Sequence, residues 1–354
     1  MGGLLALVFP KRSEIVLGKR EKRWSLVPAV LLSSFYVIQA GLRTNNFGDT
    51  YYYRNAYLDI PIGLSQLPEY LETITKDQGY TVFGAIVKIF IGNSDKAYFM
   101  IVAFIQMACL VYIFRKYSSN YWLSMFIFVA STEYMSWFHN GLRQFLAIAL
   151  IFAATGLLLK KKYIPLILII IVASTFHQSA LIMIPIVFIV QGKAWNKKSI
   201  LAILACIVAL FYVEQFTDVL DTVLSGTQYS NMVTDWVEWE DDGTNPLRVL
   251  VYSVPMILSV FGYRVIKKTD DPLINIATNF SILTTGIALV SMVTSGIFIG
   301  RLIIYGSLYS SCILLPWELE HLFNKGSSRI IIAAAVISYI VYYYFQMHFA
   351  WGLL

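Results

Sequence analysis

Apolar and polar positions fall along this chain in long blocks, not in the period-two alternation of strands. Continuous apolar runs cover Ser25 to Leu42, Ala97 to Phe114, Tyr121 to Phe138, a run opened by Arg143 and closed by Lys160, Lys161 and Lys162, and Tyr163 to Val190. Further runs cover Ser199 to Phe216, Leu247 to Val265, Leu273 to Ile299, Arg301 to about Leu319, and Ile330 to Phe349. In lipid every backbone polar group must be satisfied within the protein, so spans of this length form helices. The pattern predicts an all-α, polytopic membrane fold of about 10–12 transmembrane or re-entrant helices, in a single transmembrane domain over residues 1–354.

Two runs depart from a simple span. Tyr80 to Ile91 is short and contains Lys88, which predicts an interfacial or re-entrant helix. The run over residues 163–190 is too long for one span and lies between two lysine clusters. Its polar interruption from Ser174 to Ser179 predicts a broken-helix hairpin with His177 at the tip. Two polar segments, 43–78 and 217–246, are predicted as outer-side loops. The first carries NNFGDTYYYRNAY, and the second carries Asp218, Asp221, Asp235, Glu238, Glu240, Asp241 and Asp242 with Tyr229, Trp236 and Trp239.

Composition agrees with this class: 58% of residues are apolar, 14% are charged and mean hydropathy is +0.65, which excludes a soluble domain. The net charge of +6 raises nucleic acid as a partner, but the basic residues sit in short clusters between apolar runs. Threading the chain with an N-terminus in the cytoplasm places 19 of its 27 Lys and Arg residues inside, as the positive-inside rule demands, so no nucleic-acid partner is expected. Cys109, Cys206 and Cys312 lie within apolar runs with no CxxC spacing, so neither a disulfide framework nor a zinc site follows. The opening MGGLLALVFPKR does not read as a cleaved signal peptide, which leaves targeting to the first span.

The same threading places Asp49, Arg143, His177, the acidic and aromatic loop, and Arg301 at the outer side, as one outward-facing cavity would require. An arginine at membrane depth costs about 2.5 to 3.5 kcal/mol on insertion scales, so such residues are retained where a site uses them. Arg143 and Arg301 each open a helix, where a guanidinium fork and backbone N–H groups together suit a pyrophosphate; the alternative is snorkelling to the interface or pairing with a loop carboxylate. His177 suits a general base, because an ordinary imidazole accepts a proton near neutral pH; otherwise it caps broken-helix carbonyls. Asp49 after Gly48 is an equal candidate for base or sugar-hydroxyl acceptor, against an Asx turn; Glu133 and His139 flank the same end. Tyr229, Trp236 and Trp239 fit sugar stacking or an interfacial aromatic belt. No Walker loop, HExxH or metal cluster appears, so no cofactor and no metal is expected and the substrate must arrive activated.

Four pieces, in order, resemble the EpsG-type, Wzy-like polymerases of bacterial surface polysaccharides. They are Gly48-Asp49-Thr50 followed by Tyr53, Arg143-Gln144 opening an apolar helix, Phe176-His177-Gln178-Ser179-Ala180-Leu181 after a lysine-linked hairpin, and Arg301 with Tyr305. The resemblance runs from Leu31 to about Leu319. One departure is Asp77-Gln78-Gly79-Tyr80, where the family pattern has a glutamate just before the glycine; Asp77 is the available substitute. The resemblance implies a glycosyltransferase-type polymerase at the outer face of the plasma membrane. It would take oligosaccharide repeat units on undecaprenyl pyrophosphate, transfer the growing chain to a new unit and release the carrier pyrophosphate. A chain-length regulator and a flippase would be its pathway partners, and O-antigen, capsule or exopolysaccharide its product. Arg143 and Arg301 would then stabilise the leaving pyrophosphate, His177 or Asp49 would deprotonate the acceptor hydroxyl, and Tyr53 and Tyr305 would join the sugar contacts. A transporter or flippase of the same lipid-linked sugars, a ligase and a single-sugar transferase are the competing readings.

Overall fold

A computed structural model describes residues 12–16, 19–24, 26–225, 227, 230 and 243–350. The expected Tyr229, Trp236 and Trp239, with the acidic residues around them, lie outside the described residues. The chain is helical almost throughout, and among the described residues it divides into two compact units. One runs up to Ile184 and resumes at Tyr339; the other is Pro185–Ser338.

Among the described residues the first unit opens with a two-stranded antiparallel hairpin, β1 (Arg12–Val16) and β2 (Lys19–Arg23), which the pattern of apolar runs did not predict. It is fixed to its neighbours by charge: Arg115 donates to both carboxylate oxygens of Glu14, at 2.6 and 3.1 Å, and to the carbonyl of Trp24. That pairing holds the Glu14 carboxyl below its ordinary range. The helices of this unit are α1 (Leu26–Leu42), α2 (Thr50–Asp59), α3 (Leu67–Glu72), α4 (Gln78–Ile91), α5 (Asp95–Tyr117), α6 (Tyr121–Ala130), α7 (Glu133–His139), α8 (Leu142–Ala153), α9 (Thr155–Leu159) and α10 (Tyr163–Phe176).

Helix α5 is the spine on which α1 and α8 pack. Ser94 caps it by accepting from the Ala97 N–H, Asp95 stands in its first turn and Arg115 and Lys116 in its last, all complementing the helix dipole. Its 23 residues rise about 34 Å, enough to cross a bilayer core. Lys88 is 2% exposed and explains itself differently from an interfacial charge. Its ammonium donates to the carbonyls of Tyr57, Leu58 and Ile60, at 3.1, 2.8 and 2.5 Å, closing the C-terminal end of α2.

In the second unit α11 (Met183–Ile189), which begins just before it, is followed by α12 (Lys197–Phe211), α13 (Val213–Leu224), α14 (Pro246–Phe261), α15 (Tyr263–Thr269), α16 (Pro272–Met292), α17 (Ile304–Tyr309), α18 (Leu315–His321) and α19 (Lys325–Phe345). Helix α16 is buried along nearly its whole length, capped by Asp271 and packed by α12, α14 and α17. Apolar burial drives no association between helices in lipid, so close approach and interhelical hydrogen bonds hold such a bundle. A Cβ at Gly306 of α17 would meet the Thr284 hydroxyl at 2.4 Å, and Asn279 of α16 donates to the carbonyls of Val190 and Lys193.

Four helices are long and apolar enough to cross a membrane, or six if each of two bent pairs is one span; six shorter apolar helices of 10–17 residues accompany them among the described residues. Several runs read as single spans are interrupted. Tyr121 to Phe138 divides at Thr132, whose φ is +58°. Ser199 to Phe216 bends by 113° between α12 and α13, and Leu247 to Val265 by 74° between α14 and α15. The second bend lies at Gly262, which lacks the Cβ that would strike Leu322 at 2.5 Å. Leu273 to Ile299 leaves helix after Met292.

Candidate active site

The first unit holds a cavity of about 380 Å³ whose wall is tyrosine and cation: Tyr52 and Tyr53 of α2, Tyr70 of α3, the connector Thr73 to Lys76, Tyr80 and Thr81 of α4, and Arg143 of α8. Each part is placed by local sequence. Helix α2 buries Thr50, Tyr53 and Tyr57 at helical spacing. Tyr57 stacks on Tyr98 of α5 with ring centres 4.1 Å apart and donates its hydroxyl to the Gly92 carbonyl. Arg54, on the same helix, is tied to Asp95 and Asn45. Burial, with Asp59 and Tyr52 adding to it, raises the Tyr70 phenol above its ordinary pKa.

The start of α2 is set by Gly48. Its φ of +50° favours glycine, and a Cβ there would lie 1.8 Å from the Asn140 side-chain oxygen. That oxygen accepts the Asp49 N–H at 3.3 Å, joining the N-terminus of α2 to the loop that leads into α8. Asp49 itself is exposed, makes no capping bond with its side chain and stands one turn before the cavity tyrosines.

Arg143 is the second residue of α8. Its Nη1 lies 3.1 Å from Asp77 Oδ2, and its guanidinium carbon is 5.9 Å from the ring centres of both Tyr52 and Tyr53. Asp77 has φ +56° at the N-terminus of α4, where its side chain makes no capping bond. Gly79, two residues on, lets α4 approach α10: a Cβ there would sit 2.0 Å from the Thr175 hydroxyl.

His177 lies at the break between α10 and the 3-10 turn Gln178–Ile182, in extended backbone, half-buried. Its Nδ1 is 2.7 Å from the Ser179 hydroxyl, which also accepts from Gln144 Nε2 at 3.4 Å. Gln144 follows Arg143, so the histidine and arginine motifs meet through one serine. The helix ends here, within the polar stretch 174–179.

A further arginine was not singled out from the sequence. Arg43, 8% exposed, lies 3.6 Å over the Phe99 ring and donates to the His139 carbonyl at 3.0 Å. Burial lowers its pKa to about 10, opposed by Tyr80 and Tyr53, and it stays charged at neutral pH. Lys76, Tyr52 and Tyr70 were also missed. The tyrosine-rich composition of 43–78 was the signal for them, but nothing in it says which rings face inward.

Of the expected residues, then, Arg143 and Tyr53 line the cavity, and His177 reaches the Arg143 helix through Ser179. Arg301 and Tyr305 belong to the second unit: Arg301 is half-buried in the 3-10 turn Gly300–Ile303, and Tyr305 is buried in α17.

No curated protein and no solved structure matches the chain. The model of the EpsG family matches residues 26–351, which takes in both units and every described residue of the cavity wall. A multi-pass helical protein with a cationic, tyrosine-walled cavity belongs, by that match, to the EpsG family of Wzy-like polysaccharide polymerases.

Proposed function

We propose that this polymerase uses oligosaccharide repeat units carried on undecaprenyl pyrophosphate, at the outer face of the bacterial plasma membrane, and transfers the growing glycan to a new lipid-linked unit. The observation that carries the reading is Arg143: a guanidinium held at a helix start, in a cavity also lined by Lys76, Tyr52, Tyr53 and Tyr70. A planar cation with backbone N–H groups beside it suits a pyrophosphate, and tyrosine faces suit sugar rings.

In the proposed step the acceptor hydroxyl attacks the anomeric carbon of the donor glycan. The new C–O bond forms as the bond to the pyrophosphate oxygen breaks, and the electron pair leaves on that oxygen. Arg143 stabilises the developing charge, and His177, held through Nδ1 by Ser179, or Asp49 takes the hydroxyl proton. Tyr53 serves as a sugar contact; Tyr229, Trp236, Trp239 and Tyr305 remain proposed sugar contacts on their chemistry, and Arg301 a phosphate contact within its own unit. A flippase supplying the donor and a chain-length regulator are the proposed partners.

The test uses the purified protein in lipid nanodiscs with a lipid-linked repeat unit as the sole substrate. A ladder of glycan lengths with stoichiometric release of the lipid pyrophosphate is expected. Consumption of the unit without any product longer than itself would contradict polymerisation.

A further inference from the structure

The Arg143–Asp77 pair has a feature that catalysis as described leaves unused. Asp77 occupies the N-cap of α4, where an aspartate ordinarily accepts a backbone N–H from the first turn. Its carboxylate makes no such bond, its backbone sits at φ +56°, and its Oδ2 lies 3.1 Å from Arg143 Nη1. The Asp77 side chain is 5% exposed, whereas the Arg143 side chain is 26% exposed and lines the cavity. The contact to the carboxylate is made from Nη1. The guanidinium carbon lies 5.9 Å from the ring centres of Tyr52 and Tyr53.

A left-handed backbone at a non-glycine residue is unfavourable and persists where the surroundings over-determine it. Here it sets a carboxylate, uncommitted to its own helix cap, against Arg143 of the cavity wall. A carboxylate and a pyrophosphate present the same recognition chemistry to a guanidinium, anionic oxygens for a planar fork, so they compete for it.

We propose that Asp77 is a displaceable counter-ion: a positioning residue that holds Arg143 ready in the resting enzyme, yields it to the donor pyrophosphate, and recaptures it to release the spent lipid pyrophosphate. This rests on the pyrophosphate-donor reading and adds a role for a residue outside the bond-making step. No covalent change is involved. The gain is turnover, because without an internal competitor the cationic cavity would hold the spent pyrophosphate more tightly and release it more slowly.

The test measures binding of farnesyl pyrophosphate, a short polyprenyl pyrophosphate, to the full-length protein in nanodiscs by calorimetry. Wild type is compared with Asp77→Asn, Asp77→Ala, Asp77→Glu, Arg143→Ala and the Asp77→Asn/Arg143→Ala pair. Removing a like charge this close to the ligand should tighten binding by about tenfold in both Asp77→Asn and Asp77→Ala, with Asp77→Glu staying near wild type. The double variant should match Arg143→Ala, because the proposed role of Asp77 runs through that arginine. In the polymerisation assay KM for the donor and kcat should both fall in Asp77→Asn, because product leaves slowly. Binding weakened to the level of Arg143→Ala would overturn the proposal and leave Asp77 a structural brace. Two neutral variants make the result independent of one that folds badly. Failure of wild type to bind the probe at all would instead overturn the pyrophosphate-donor reading.

Discussion

At the scale of single residues the proposed site turns on the geometry of one guanidinium, that of Arg143. Lysine keeps the charge at position 143 but not the planar fork, so Arg143→Lys should recover only a small part of the activity lost in Arg143→Ala. Initial rates of lipid pyrophosphate release check this; full activity in the lysine variant would mean that charge alone suffices. The His177–Ser179 contact separates a base from a helix cap. If His177 takes the proton, His177→Ala should slow the reaction by about 10²- to 10⁴-fold and remove the acidic limb of the rate–pH profile, while Ser179→Ala slows it far less and keeps that limb. A variant with unchanged pH dependence would hand the role to Asp49.

What the sequence offered at this scale was an ion at membrane depth. Arg143 and His177 drew attention because such residues are costly there, and both take part in the network around the cavity. Lys88 drew attention for the same reason and has another explanation: it satisfies three carbonyls at the end of α2. Hydropathy registers the charge and says nothing about its partner. Arg43 meets the His139 carbonyl and Asp77 meets Arg143 across segments far apart in sequence; Asp77 was marked only by its place before Gly79, and no spacing rule supplies either contact.

At the scale of elements, helix ends do most of the positioning. The start of α2 is fixed by Gly48 and Asn140, its end by Lys88, and the start of α4 by the fit of Gly79 against Thr175. Lys88→Met preserves the length and apolarity of the side chain but leaves the carbonyls without their donor. It should destabilise the protein by about 1 to 3 kcal/mol, read as a lowered Tm in detergent, because buried carbonyls without a donor carry their desolvation penalty. An unchanged Tm would show that other groups or water satisfy that helix end. The long apolar runs were legible as helices, but their interruptions at Thr132, Tyr212 and Gly262 were not. A bend inside an apolar run leaves its hydropathy unchanged, and Gly262 is set by what packs against it, Leu322, 60 positions away in the chain.

At the scale of the whole molecule, the charge asymmetry of the loops predicts which side of the membrane each segment occupies, and the proposed chemistry requires the cavity to open outward. With Cys109, Cys206 and Cys312 replaced by alanine, Thr73→Cys on the cavity wall should react with a membrane-impermeant maleimide in intact cells. Lys161→Cys, between α9 and α10, should react only after the membrane is permeabilised. The reverse pattern would place the cavity on the cytoplasmic side and remove the basis for an outer-face polymerase.

The most direct measurement is electrophoresis of surface polysaccharide from a deletion strain complemented with wild type, Arg143→Ala or His177→Ala at equal protein abundance. A polymerase predicts a full ladder with wild type and single repeat units with the deletion. Arg143→Ala should give almost no long chains, since loss of a transition-state charge partner slows such reactions by about 10²- to 10³-fold. Loss of every form of the polysaccharide on deletion, single units included, would contradict the account and place the protein before polymerisation. Wild-type chain lengths in Arg143→Ala would remove Arg143 from the centre of the site.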